Sequence, residues 1–497
     1  MFFLGIDLGT SSVKVLAIND NNEIVGDVTR EYPVYFPQDK WAQQDPTDWW
    51  KQTVIAIKEL MHNLNIPNDQ VRAIGFSGQM HGLVALGAQN EVLTPAILWC
   101  DQRTQKECDE ITAFFGQEKL SHCTGNKALT GFTAPKILWV KKNLPEVFAK
   151  IRHILLPKDY VRFMLTGDYA TDVSDASGML LLDVKNRRWA QEMLDFLEIN
   201  ESQLPKLYES YEVTGVVTES VKAELGLKGE ILVVGGAGDQ AAGAIGTGTV
   251  EDGIVSITLG TSGVVFAAHE FFAVDEKNRL HAFCHANGKY HSMGVMLSAA
   301  NCLKWWAETI HPSVGFDTLL EEAAKTEPGS SRTVFLPYLM GERTPYSDPD
   351  AKGCFVGMST TTTRGHMTRA VLEGVAFGLF DSLKILEELE VPIKQVRVIG
   401  GGAKSALWKQ ILADVFSLEI QEINTNQGGA LGAAILAAVG AKRYATVDEG
   451  CNAMIKVVNR INPIRENVER YKSIYPLYVD LYADLKKWFE KSALAFG

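Results

Sequence analysis

The chain lacks the features that would place it outside ordinary globular proteins. Its seven cysteines (100, 108, 123, 284, 302, 354 and 451) are odd in number and contain no C-x-x-C pair. That argues against a disulfide framework and fits a reducing compartment. Positive charge is short: 48 basic residues stand against 60 acidic ones, a net charge of −12. A nucleic-acid or anionic-membrane surface needs a basic footprint, so neither partner is expected. Long apolar runs are also missing. The longest, Ala430 to Ala441, covers about a dozen residues, against ~20 for a membrane span. The N-terminal MFFLGID reaches an aspartate at position 7, which interrupts any signal-peptide core. No low-complexity segment or long linker occurs. A cytoplasmic location is the expectation.

What is present is a repeat. Residues 6–13 read IDLGTSSV and residues 257–264 read ITLGTSGV, at an offset of 251 in a chain of 497. Length alone, at ~150 residues per domain, suggests about three domains. The repeat offset is close to half the length, which revises this to two similar halves, 1–245 and 246–497. Each copy lies between β-branched runs, FFLGI and VKVLAI in the first, GIVSI and GVVFAA in the second. Each therefore reads as a strand–turn–strand hairpin with a Gly-Thr-Ser tip. Such a tip is either an ordinary turn or a phosphate loop, in which small residues let backbone N–H groups converge on an anionic oxygen. Asp7 in the first copy is Thr258 in the second. An acid in only one copy suggests a task done once, such as holding Mg²⁺ through water.

The rest reads as mixed α/β. Strands are expected at Val71–Phe76, Ile231–Val234 and Val396–Ile399. Helices are expected at Pro46–Leu64, Thr318–Lys325, Thr368–Glu390 and Ser405–Phe416. This alternation indicates layered α/β domains. The glycine-rich stretch Gly235–Gly248 is the best boundary.

Two glycine loops carry chemistry. Gly236–Ala241 fits G-x-G-x-x-A after a strand, but the acid a dinucleotide ribose needs about 20 residues later is absent. Gly400-Gly401-Gly402-Ala403-Lys404-Ser405 ends in Lys-Ser, yet the glycines of a P-loop are Val398 and Ala403 here. Its bare backbone at a helix start still suits a nucleotide. Asp239, flanked by Gly238 and small residues at a helix start, is either a catalytic acid/base or a helix N-cap. His281, Cys284, His285 and His291 look like metal ligands, but the Asn287-Gly288 between them signals a hairpin that splits them over two strands. Arg343 beside Glu342 reads as a turn with an ion pair. Lys304-Trp305-Trp306 reads as a helix end.

Taken together, GIDLGTSSVK, ITLGTSG and VIGGGAKS resemble the two phosphate loops and the adenosine loop of the actin, chaperone-ATPase and sugar-kinase superfamily. Within it the chain is similar to the FGGY carbohydrate kinases, also through FTAPKILWVKKN (132–143), GERTPY (341–346) and ILWCDQR (97–103). FSGQMHGLV (76–84) and GDQAAGAIGTG (238–248) most resemble the xylulokinase branch. The resemblance implies two duplicated ribonuclease H-like α/β domains flanking a nucleotide cleft, with ATP and Mg²⁺ as cofactors and a ketose as acceptor. It implies Asp239 as catalytic base. Met80, His81 and Gln240 would face the sugar, together with Asp239, and Asp101 would either line the sugar cleft or brace it. Asp7, Thr10, Ser11, Gly260, Thr261, Gly401, Gly402 and Ser405 would face the nucleotide, with Asp7 also near the metal. The partners implied are small molecules, and a homodimer is left open. A kinase for another polyol or ketose, or an actin-like ATPase, would share the nucleotide loops.

Overall fold

The computed structural model describes residues 1–496. Two seven-stranded sheets organise it. In the first, β1 (Phe2–Leu8), β2 (Ser12–Asn19), β3 (Ile24–Glu31), β4 (Val71–Gly78), β5 (Val213–Val216) and β6 (Leu232–Val234) run in the order β3-β2-β1-β4-β6-β5, and a seventh, two-residue strand, Ala237–Gly238, pairs with the end of β4. In the second, β7 (Gly253–Leu259), β8 (Gly263–His269), β9 (His281–Cys284), β10 (Tyr290–Met296), β11 (Ile393–Ile399), β12 (Ile420–Ile423) and β13 (Val457–Ile461) run in the order β9-β10-β8-β7-β11-β12-β13.

The two sheets repeat one plan. β1 pairs antiparallel with β2 and parallel with β4. β7 pairs antiparallel with β8 and parallel with β11. Each glycine tip is the turn of the central antiparallel pair. The central strands are buried on both faces, which explains why FFLGIDL and GIVSITL read as continuous apolar runs rather than alternating ones.

Helices start where the sequence marks them. α1 (Pro46–Asn63) opens with Pro46 in its first turn, and the Asp45 carboxylate accepts from the Thr47 amide at 2.9 Å. α2 (Thr133–Asn143) belongs to an apolar subdomain inserted into the first lobe, while α3 (Pro157–Thr166) packs into the core of that lobe's own sheet. α4 (Asp239–Thr247) begins between the lobes, and α5 (Arg364–Glu388) and α6 (Ala406–Phe416) pack in the second lobe. The chain ends on the long helix Arg465–Phe496. The boundary expected at 245/246 falls inside α4.

The apolar run near 430 becomes α7 (Gly428–Gly440), apolar on every side and buried from Ala430 to Gly440. It belongs to the second half of the chain yet lies on the first sheet. A Cβ on Gly5 would come within 2.0 Å of Ala430 O, and one on Gly75 within 2.1 Å of Ala433 O. Gly5 and Gly75 are register partners on β1 and β4, so two bare positions side by side let α7 sit directly on the sheet. On its other side α7 meets α4, where a Cβ on Gly432 would strike Ala242 O at 1.9 Å. Gly5, Gly75 and Gly432 thus serve close helix packing between the lobes. No helix among the described residues is long and apolar enough to cross a membrane. All seven cysteines are free.

Candidate active site

Sheet register sets the first acid. Asp7 lies on β1 opposite Ser77 of β4, and Ser77 Oγ donates to Asp7 Oδ1 at 2.6 Å. A Cβ on Gly429, at the start of α7, would meet Ser77 Oγ at 2.5 Å and Asp7 Oδ2 at 3.0 Å. A glycine there leaves the Asp7 carboxylate its cradle. Burial raises the Asp7 pKa, opposed by the Ser77 hydrogen bond and the Lys14 charge.

The tip beyond Asp7 is pinned from three directions. Trp99 Nε1 donates to Thr10 Oγ1 at 2.9 Å, Gln44 Nε2 to Thr10 O at 2.7 Å and Tyr32 OH to Gly9 O at 2.6 Å. Ser11 is exposed at the turn. The second tip is held by backbone. The amides of Ala299 and Ala300 donate to Thr261 O and Gly260 O at 2.9 and 2.8 Å.

Asp239 follows a two-residue strand, Ala237–Gly238, that pairs with Ser77 and Gly78. It is the first residue of α4. The cap position belongs to Gly238, so the N-cap reading of Asp239 is corrected. The carboxyl is half-buried, and its pKa is pushed up to about 7 by burial, then by the charge of Asp7. Two carboxylates that sense each other in one cleft are a common arrangement for phosphoryl transfer with a metal.

Met80 and His81 leave β4 just beside Asp239. A Cβ on Gly238 would meet Met80 Cγ and Sδ at 2.9 Å. His81 has a left-handed backbone, φ 69°. Its carbonyl accepts from Lys136 Nζ at 2.8 Å and Thr133 Oγ1 at 3.0 Å, both from α2. Its Nδ1 lies 2.6 Å from Gly178 O. A carbonyl only accepts, so Nδ1 carries the proton and Nε2 is left as an acceptor. Burial pushes the imidazole pKa down to about 3 and keeps it neutral. His81, Trp99, Phe132 and Arg343 line a cavity of about 710 Å³ between the inserted subdomain and the second lobe.

A second cavity of about 400 Å³ is lined by Thr261, Lys304, Gly401, Gly402, Lys404 and Ser405, among others. The second tip and the triple-glycine loop therefore converge on one cavity. Gly400 has φ 95°, and its Cβ would strike Leu259 O at 2.7 Å, while nothing lies within 4 Å of a Cβ on Gly401. The loop packs on β7 through Gly400 and Gly402 and leaves Gly401 open. Ser405 lines this cavity and also caps α6, accepting from the Trp408 amide at 3.2 Å. Lys304 joins the same wall.

One expectation is narrowed and another changes. Asp101 is fully buried; its oxygens take the Arg103 guanidinium at 2.6 Å and the Ala42 amide at 2.6 Å, and it lies off the cavity wall. It braces the loop that carries Trp99. Glu342 turns its Oε1 to the amides of Leu297 and Arg343, at 2.9 and 2.7 Å, in place of an ion pair with the Arg343 side chain. The His281–His291 segment is the expected hairpin, with Cys284 opposite Tyr290. No group of three or more metal-ligating side chains occurs among the described residues. Gln240 is half-buried beside Asp239 at the start of α4. The sequence reading missed Ser77, Lys136, Ser174 and Gly178. Only Lys136 left a trace, as a lone cation in the run FTAPKILWV.

Comparison with known proteins matches this arrangement. The N-terminal domain model of the FGGY family of carbohydrate kinases fits residues 2–246 and the C-terminal domain model fits 255–441. A xylulose kinase of Escherichia coli is 43% identical over 88% of this chain and 90% of its own. One from Bacillus subtilis is 37% identical over 98% of this chain and 97% of its own. Among solved structures, a xylulose kinase from Brucella ovis superposes with a TM-score of 0.93 at 38% identity, covering 98% of this chain and 100% of that one. The chain belongs to the FGGY family of carbohydrate kinases.

Proposed function

We propose that the chain transfers the γ-phosphoryl group of ATP to D-xylulose, giving xylulose 5-phosphate and ADP, with Asp239 as general base. The observation that carries the mechanism is Asp239 at the head of α4, beside Asp7 and against Met80. The names of the relatives carry the choice of sugar.

The terminal hydroxyl of the sugar attacks the γ-phosphorus in line, its O–P bond forms as the bond to the ADP oxygen breaks, and Asp239 takes the hydroxyl proton. In a loose transition state the proton leaves late, so the larger contribution of Asp239 is orientation. An elevated pKa also makes it a better acceptor than an ordinary carboxylate. His81 Nε2 accepts from a sugar hydroxyl, and Met80 packs on the carbon chain. The backbone at Gly9–Ser11 and Gly260–Ser262 donates to phosphate oxygens, and Gly401 and Gly402 admit the adenosine. Mg²⁺ fits Asp7, whose cradle at Gly429 leaves Oδ2 without a side-chain partner. A few protein carboxylates plus nucleotide phosphates are the usual magnesium set. When bound, the ion supplies positive charge that offsets the phosphates, which a chain of net charge −12 needs locally.

The test is coupled ADP release with a panel of D-xylulose, ribulose, glycerol and gluconate. Strong stimulation by xylulose is expected. Stimulation by another polyol alone would reassign the substrate. Stimulation by none of them would remove the kinase assignment.

A further inference from the structure

Between the two ligand-contacting loops lies a short segment that touches both. It runs from Asp172 through the helix Val173–Ala176 to Gly178. At one end Ser174 Oγ accepts at 3.2 Å from the amide of Gly238, the residue before Asp239. At the other end Gly178 O holds His81 Nδ1 at 2.6 Å. A Cβ on Gly178 would lie 2.4 Å from that nitrogen and 2.9 Å from Met80 Cε.

The segment is itself anchored by charge. Lys158 Nζ lies 2.6 Å from Asp159, 2.9 Å from Asp172 and 3.5 Å from Asp175, and all four side chains are fully buried. Asp172 Oδ2 accepts from the Ser174 amide and from Ser210 Oγ, both at 2.8 Å, and from Ser174 Oγ. A charged cluster this deep gains little net stability over an apolar core of equal volume. Losing one partner is costly, however, so the cluster tolerates few geometries. Burial would lower the Lys158 pKa, but the three carboxylates raise it and keep it charged. Both oxygens of Asp175 lack hydrogen-bond partners, and burial pushes its carboxyl well above the usual range.

We propose that Asp172–Gly178 is a positioning bracket, fixed by Lys158, that aims Asp239 through Ser174 and the sugar-facing His81 through Gly178. Ser174 and Gly178 are positioning residues that act through their neighbours. The bracket rests on the reading of Asp239 and His81 given above. A single rigid segment sets the distance between the base and the imidazole, and with it the place of the attacking hydroxyl.

The two ends predict different kinetic signatures. Ser174→Ala frees the Gly238 peptide and should lower kcat about tenfold while the sugar KM stays within about twofold. Ser174→Thr keeps the hydroxyl and should restore kcat. Gly178→Ala displaces the imidazole and should raise the sugar KM about tenfold with kcat within about threefold. In a His81→Ala background Gly178→Ala should add less than in the wild type, because the two changes share one interaction. If Ser174→Ala does not fold, Ser174→Cys, whose sulfur of similar size is only a weak acceptor for the Gly238 amide, is read in the same way. Loss of both constants together in both variants, or activity falling only as folded protein falls, would make the segment structural and overturn the bracket. Full turnover in Asp239→Ala would instead remove the base assignment, whatever the bracket variants do.

Discussion

The tip at Gly9–Ser11 is held by side chains of its own lobe, Tyr32, Gln44 and Trp99, whereas the tip at Gly260–Ser262 is held by the amides of Ala299 and Ala300. Register shows why the lobes diverged in chemistry. In the first sheet Asp7 faces Ser77, a hydroxyl donor. At the matching places in the second sheet Thr258 faces Ile399. A carboxylate there would find no such donor. Two rungs back, the first sheet has Gly5 beside Gly75 and the second has Ser256 beside Arg397. The bare pair receives α7, while Arg397 Nη1 donates to Thr247 O, at the end of α4, at 2.6 Å. The same duplicated backbone thus supplies an acid and a helix seat in one lobe, and a backbone-held glycine tip in the other.

The largest effect expected follows from Asp239, which has no counterpart in the repeat. Asp239→Ala should cut sugar phosphorylation by ~10³-fold or more with an unchanged melting temperature; steady-state ADP release and a thermal melt check both parts. The asymmetry of the tips comes next. Asp7→Asn should lower kcat by roughly 10²-fold and raise the magnesium needed for half-maximal rate, because a charge beside the phosphates is lost. Thr258→Val, the matching change in the second lobe, should stay within about threefold. Equal losses in the two variants would erase the distinction between the lobes.

Stability carries the smaller effects. Gly75→Ala should cost roughly 1–3 kcal/mol by overpacking against α7, read by denaturant unfolding. Asp239→Asn should have a stabilising effect that sets in above the ordinary carboxylate pKa and reaches about 1 kcal/mol above neutral pH. Its folded pKa, about 7, lies above the ordinary 3.8. Well below 3.8 both states hold the proton and the group is neutral to folding. Between the two values the unfolded chain releases the proton and the folded one keeps it, so stability falls as pH rises, reaching its full deficit above about 7. The figure is kept small because the group is only half-buried.

Much of this was legible in the sequence where the signal is local. The repeat announced the paired hairpins, and the glycine runs marked the loops that meet at Thr261 and Gly401. Pro46 after Asp45 marked a helix start. Two things were not legible because they depend on distant partners. The run at 430 has the composition of any buried helix, and only the Gly5–Gly75 register shows that it crosses to the other lobe's sheet. Asp101 has the residue type of a sugar ligand, and only its contacts with Arg103 and Ala42 show that its oxygens are already used. Ser174 and Gly178 escaped for the same reason: each acts on a loop more than 60 residues away in the chain.

The central claim is that burial and Asp7 hold Asp239 as a base poised near neutrality. The most direct measurement is the pH dependence of kcat/KM for D-xylulose with MgATP also limiting, so that the free enzyme is read. The account predicts a rate that rises with unit slope and levels off above about 7. A rate already flat from the ordinary carboxylate range upward would contradict it.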